Sequence, residues 1–296
     1  MINSGQASID MENASDAQEL RPMWKKRSLL MAPYNFISDN LSHSYLIQRL
    51  IRRDLDARYR GPWLGYLWAI IEPILLTLAY SFVFVLIVGR ADETYPGILM
   101  IGVITWTIFA RTWTSTTRTL SANASLFQFT KIPKSVFAVS AMMTNYVLAL
   151  ISLVAIIPFL IMYEVSLDWR VFLVPVFLLI TALTGLCLGM MTAPAAVRIP
   201  DIANFVNFLS RVGFFFSPVM WTYDMLSSRF GEGWTLYVAH LNPVIVPITQ
   251  MRDIMFGTDS NIPDFGYGIW IGFVLTVVIF GTMIFQNRAH KVVAGL

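Results

Sequence analysis

Charge is what this chain has least of. Of its 296 residues, 13% are Asp, Glu, Lys or Arg, about half the share found in average soluble domains, where roughly 25% are charged. The deficit is concentrated, since Ser135 to Tyr163 and Val171 to Val197 contain none of the four. Too little polar surface remains to cover a water-soluble globule of this length, and intrinsic disorder and nucleic-acid binding are excluded with it. Cysteine is nearly missing as well: the single Cys187 rules out an intrachain disulfide, a CxxC redox pair and a cysteine-built zinc site. His43, His240 and His290 are the only histidines and stand far apart, which argues against a metal site. GxxxxGK(S/T), GxSxG, HExxH and GxGxxG signatures are also lacking, so nucleotide hydrolysis and hydrolase chemistry have no local signature. If ATP drives this protein, another chain must bind it.

What is present is apolar: 56% hydrophobic residues, 14% of the chain aromatic, and a mean hydropathy of +0.62. Crossing about 30 Å of hydrocarbon takes about 20 apolar helical residues, and six stretches of that kind start at Tyr66, Tyr95, Val136, Val171, Phe205 and Gly268. The expected fold is an all-α integral membrane protein with six transmembrane helices. Residues 1–40 begin with acids (Asp10, Glu12, Asp16, Glu19) and then the basic run RPMWKKR; they read as a mobile cytoplasmic tail, without a secretory signal. Residues 41–62 carry an amphipathic helix, with Ile47, Ile51, Leu55 and Tyr59 on one face and Arg49, Arg52, Arg53 and Arg60 largely on others. Ser44 is its expected N-cap and Gly61-Pro62 its end; such a basic helix before a span lies in the headgroup plane or serves as a docking surface. The six-span domain fills 63–296. Within it, residues 234–256 are too short and polar for a clean span, and Pro243 and Pro247 would break one, so short re-entrant or surface helices are expected before the last crossing.

With the N-terminus inside, fifteen Lys and Arg fall on the cytoplasmic side and four, Arg90, Arg170, Arg229 and Arg252, outside. The positive-inside rule therefore gives N-in and C-in. Glu72, Arg111 and Arg211 remain inside spans, at a cost on the order of 2.5–3.5 kcal/mol each on insertion scales. Glu72 either lines a polar cavity or reaches back to the headgroups; Arg111 and Arg211 either line a substrate path or snorkel. Most tryptophans sit near span ends, as an interfacial belt would have them, whereas Trp106 falls mid-span. The run Phe214, Phe215, Phe216 is ordinary lipid or packing contact, or else a surface on which sugars stack. Between the second and third spans, Leu120 to Ser135 reads as a short surface helix stopped by Pro133, either a solvated loop or a contact for a cytoplasmic partner.

The run RRDLDARYRGPWLGYLWAIIEP, residues 52–73, strongly resembles the opening of ABC transporter permeases that export lipid-linked polysaccharides, the O-antigen, capsule and teichoic-acid exporters. Gly102 to Phe109, Asn123 through Pro133, Phe216-Ser217-Pro218, and Leu241-Asn242-Pro243 with Arg252 resemble later family segments in the same order. The resemblance covers roughly residues 45–290 and leaves about forty N-terminal residues unmatched. It implies a homodimer in the bacterial inner membrane, bound to two copies of a cytoplasmic ATPase that holds the ATP and magnesium, with no cofactor or catalysis on this chain. It also makes residues 45–60 an interface helix and the 120–135 loop a coupling helix, with Arg53, Asp54, Arg58, Asn123, Phe127, Lys131 and Pro133 as contact candidates. Glu72, Trp106, Arg111, Arg211, Phe215 and Trp221 are the candidates for the glycan path, chosen on depth alone. Competing readings are an exporter of a drug or small lipid, an ion-coupled secondary carrier and a polytopic membrane enzyme; a single intramembrane carboxylate, no internal repeat and scattered histidines argue against the last two.

Overall fold

A computed structural model describes residues 31–88, 94–130, 132–230, 234–258 and 262–293. These residues are helical throughout their ordered elements, with no strand among them. In chain order the α-helices are α1 (Ala32–Ser42), α2 (Ser44–Tyr59), α3 (Trp68–Val88), α4 (Tyr95–Ala122), α5 (Ala124–Phe129), α6 (Ser135–Ser152), α7 (Ile157–Met162), α8 (Val174–Arg198), α9 (Asp201–Phe216), α10 (Tyr223–Phe230), α11 (Trp234–Ala239), α12 (Ile245–Phe256) and α13 (Asp264–Val293).

Among the described residues five helical segments are long and apolar enough to cross a bilayer: Gly65–Phe84, Tyr95–Ala122, Ser135–Met162, Trp169–Arg198 and Asp264–Ala289. The fifth expected crossing, Phe205 to Tyr223, falls on a shorter helix than the other five. Its helix α9 has 16 residues, about 24 Å at 1.5 Å per residue, because the backbone turns extended at Ser217 just before Pro218. An apolar count ran on through the break to Tyr223. The last span, expected to be barely long enough, belongs to a helix of 30 residues. Short helices α10, α11 and α12 precede it as expected, and Pro247 is accommodated in the first turn of α12, where its missing N–H costs nothing.

The packing centre is α4 against α8. The two run in the same direction, with Gly185 against the Phe109 carbonyl and Gly189 against Thr116. The spacing Gly185-x-x-x-Gly189 lets backbones approach that closely, and a Cβ on Gly189 would lie 2.4 Å from Thr116 Cβ. The Thr117 and Thr192 hydroxyls join the same pair of helices at 2.7 Å. α13 closes on the other side of α8, where a Cβ on Gly281 would lie 2.6 Å from the Cys187 carbonyl. α6 packs across α4 through Asn145, whose amide donates to Ser115 Oγ at 3.2 Å. In α3 the ring of Pro73 leaves the Ala69 carbonyl without its helical donor, and Ser152 Oγ of α6 supplies one at 2.8 Å. That bond fastens α3 to α6 at the point where α3 is weakest.

Two details at the N-terminal end differ from expectation. The residue preceding α2 is His43, with no side-chain cap, and Ser44 is the first helical residue. The stretch read as tail up to about residue 40 contains α1, whose Ala32 carbonyl accepts from Gln286 Nε2 of α13 at 3.0 Å; residues 1–30 lie outside the described residues. α2 lies along α6, burying Ile47, Leu50 and Tyr59, and ends at Arg60 before Gly61-Pro62 as its sequence indicates.

Gly189→Val should destabilise the protein by about 1–3 kcal/mol through overpacking of the α4–α8 contact. Thermal unfolding of the detergent-purified protein checks this, and an unchanged midpoint would mean that the contact is not tight.

Candidate functional site

Three segments singled out by their sequence meet at one point. Arg252 of α12, 3% exposed, donates from Nε to the Ile98 carbonyl of α4 at 3.0 Å, from Nη1 to the Trp221 carbonyl at 3.0 Å and from Nη2 to the Val219 carbonyl at 2.7 Å. The reversal after α9 exposes those last two carbonyls in a region without solvent, and one planar guanidinium serves both together with α4. Gly102 leaves the room: a Cβ there would lie 2.9 Å from the guanidinium and from the Val219 backbone. Tyr95 donates its hydroxyl to the Met220 carbonyl at 2.9 Å. Asn242 Nδ2 reaches Ser217 Oγ at 2.9 Å while its Oδ1 accepts from the Val244 amide at 3.1 Å, and Trp270 Nε1 donates to the Pro243 carbonyl at 2.9 Å. Gly257, in the left-handed region at φ 62°, ends α12 directly after this cluster.

The expected path residues divide. Glu72 and Arg111 form an ion pair between α3 and α4, each only partly buried, beside a cleft of about 20 Å³ lined by Asn145, Ser152 and Thr107, room for a single water. Trp106 is 7% exposed; its indole donates to the Ser210 carbonyl at 3.1 Å and lies 5.2 Å from Phe109 and 6.5 Å from Phe214. It is the packing contact between α4 and α9, seated where Gly213 lacks a side chain. Trp221 is half-buried, with its indole on the Phe215 carbonyl at 3.3 Å, so it too serves the reversal. Arg211 and Phe215 are exposed, and they share one face of α9 with Asn204, Phe205 and Phe208.

At the opposite end α2, α4, α5 and α6 enclose an open cleft of about 450 Å³ whose lining includes Arg53, Asp54, Ser115, Thr119, Asn123 and Ser140. Arg53 and Asp54 are paired at 2.8 Å. Asn123 is the hinge: its amide closes α4 on the Thr119 carbonyl, and its carbonyl accepts from Leu126 and Phe127 to open α5. Phe127 packs edge-on against Phe137 at 5.1 Å, with Lys134 Nζ 5.4 Å from its ring; burial pulls the Lys134 ammonium below its usual pKa. α5 ends at Phe129, with Thr130 extended, so Pro133 lies beyond the stop rather than making it. Arg58 is exposed on α2 away from this cleft, and Lys131 lies outside the described residues.

Residues 45–256, well over half of the chain, match the ABC-2 type transporter family. The chain belongs to that family. An O-antigen export system permease protein RfbA of Klebsiella pneumoniae is 26% identical over 255 residues, covering 85% of this chain and 95% of that protein; a second one from the same organism aligns to the same extent. A protein of that name from Myxococcus xanthus is 27% identical over 247 residues, 83% of this chain and 93% of its own. In this ABC-2 type transporter chain the matched region begins with α2 and ends with α12, so it holds both the cleft and the Arg252 cluster, while α1 and α13 lie outside it. Sequence reading passed over Tyr95, Asn145 and Ser152, whose hydroxyl and amide contacts tie the helices together; the polar side chains within apolar windows were the available signal.

Arg252→Met should lower stability by about 1–3 kcal/mol or more, since the Val219 carbonyl loses its donor in a buried position and the Trp221 carbonyl in a part-buried one. Arg252→Lys should recover only part, lacking the planar fork, and Tyr95→Phe should cost about 1 kcal/mol. Thermal unfolding of the purified variants gives the order; equal midpoints for all of them would contradict it.

Proposed function

We propose that this chain is the membrane subunit of an ATP-driven exporter that moves a lipid-linked polysaccharide across the bacterial inner membrane. It works as a homodimer with two copies of a separate cytoplasmic ABC ATPase, which binds ATP and magnesium, and both of its termini face the cytoplasm. The observation that carries this reading is the family match together with the placement of Arg53, Asp54 and Asn123 around one open cleft at the basic end of the bundle. A partner seated there touches α2 and α5 at once. The full-length similarity to proteins named as O-antigen export permeases supports the choice of cargo, and the exposed face of α9, bearing Phe205, Phe208, Arg211 and Phe215, offers rings and a cation to a passing glycan.

α4 couples the two ends. It is one unbroken helix of 28 residues, about 42 Å long, with the Asn123 hinge at its end and Tyr95, Ile98 and Gly102 against the reversal at its start. Closure of the ATPases pushes α5 and the end of α4; the displacement arrives at the Val219–Trp221 carbonyls, and the short helices α10 to α12 shift with them. The cargo is driven by ATP in this scheme, not by protons, and Glu72 is engaged with Arg111 rather than standing as a free proton carrier.

Deleting the gene should abolish surface polysaccharide and leave the lipid-linked glycan inside the cell, whereas an exporter of drugs or small lipids would leave surface polysaccharide intact. In the deletion strain, Arg53→Ala with Asp54→Ala should restore less export and pull down less ATPase than wild type, while Glu72→Gln should retain ATP-dependent export. Undiminished assembly and export in the double variant would contradict the docking role of α2.

A further inference from the structure

Of the two helices outside the family match, the short one, α1, has an unusual outer face. α1 is 11 residues long, too short to cross a bilayer, and its inner side is fixed: Ala32 and Asn40 are buried, Phe36 packs on the main core, and the Ala32 carbonyl takes the Gln286 hydrogen bond. Gln286 lies within the last turn of the crossing Asp264–Ala289, so α1 sits where that span leaves the hydrocarbon. The side turned away from the bundle carries Met31, Tyr34, Ile37 and Leu41, spaced three or four residues apart, and Tyr34 and Leu41 are each 70% exposed. Ser38 shares that side and no acid does. Tyr45, at the start of α2, continues the stripe and carries the Arg49 guanidinium 5.1 Å over its ring.

We propose that this face is a foot that inserts between the headgroups of anionic phospholipids in the membrane that the bundle crosses. One further feature favours a lipid surface as the occupant. Arg21, Lys25, Lys26 and Arg27 come shortly before the helix in the sequence, and a basic segment joined to an apolar helical face is what an anionic leaflet attracts. The foot clamps α1 over the ends of α13 and α6 and gives the N-terminal extension a fixed departure point on the membrane.

The test uses the full-length chain in nanodiscs with an environment-sensitive fluorophore on Ile37→Cys, and separately on Leu41→Cys in case one position disturbs packing. Cys187 is buried and leaves the introduced thiol as the reactive one. Lipids brominated on their acyl chains should remove about half of the emission in discs containing phosphatidylglycerol, less in pure phosphatidylcholine, with little quenching by aqueous iodide. Quenching by iodide instead, equal bromolipid quenching in both discs, or shielding from both quenchers, which means a protein cover, would each overturn the proposal.

Discussion

A buried guanidinium holds one end of this protein together. A helix that stops inside apolar surroundings leaves carbonyls with no solvent to serve them, and α9 stops there at Ser217-Pro218. Arg252 supplies donors to two of the exposed carbonyls and to one on α4. That contact ties α12 and the reversal to α4, beside the Tyr95–Met220 bond and the Arg170–Asp253 pair. The same demand accounts for Gly102, which gives the guanidinium its space, and for Asn242, which ties the next loop back to Ser217. Residues that lie far apart in the sequence thus answer one physical requirement.

The helices around this cluster are held by shape and by small polar side chains more than by charge. Lipid offers helices little hydrophobic reason to associate, so close backbone contact and interhelical hydrogen bonds carry the packing. Gly185 and Gly189 on α8, Asn145 on α6 and the Thr117–Thr192 pair provide both. Ion pairs are peripheral by comparison: Arg170–Asp253 joins the segment before α8 to α12 at 2.9 Å, and Glu72–Arg111 joins α3 to α4. The result is a firm centre in α4 and α8 flanked by elements at either end that can move against it.

Much of this was legible in the sequence, for identifiable reasons. Long charge-free windows report helices that cross a bilayer, and the apolar spacing of Ile47, Leu50 and Tyr59 reports the buried side of α2. The length of α9 was misjudged because an apolar window does not register that Ser217-Pro218 ends a helix. Trp106 is a path candidate on depth, and depth in a span does not tell which way a side chain faces. The Glu72–Arg111 pair was beyond reach, since the partners are 39 residues apart and each has an adequate separate explanation. α1 was missed because a helix of 11 residues with mixed polarity gives a weak periodic signal. The Arg252 cluster was half visible: its segments were marked individually by resemblance, but their meeting is a fact of three dimensions.

An exporter of the proposed kind needs a motor carried by another protein. The most direct measurement is the mass of the intact complex purified from native membranes in mild detergent, with identification of what accompanies the chain. Two copies of this chain with two copies of an ATP-binding subunit are predicted. Recovery of the chain alone, with no nucleotide-dependent activity restored by candidate ATPases, would contradict it.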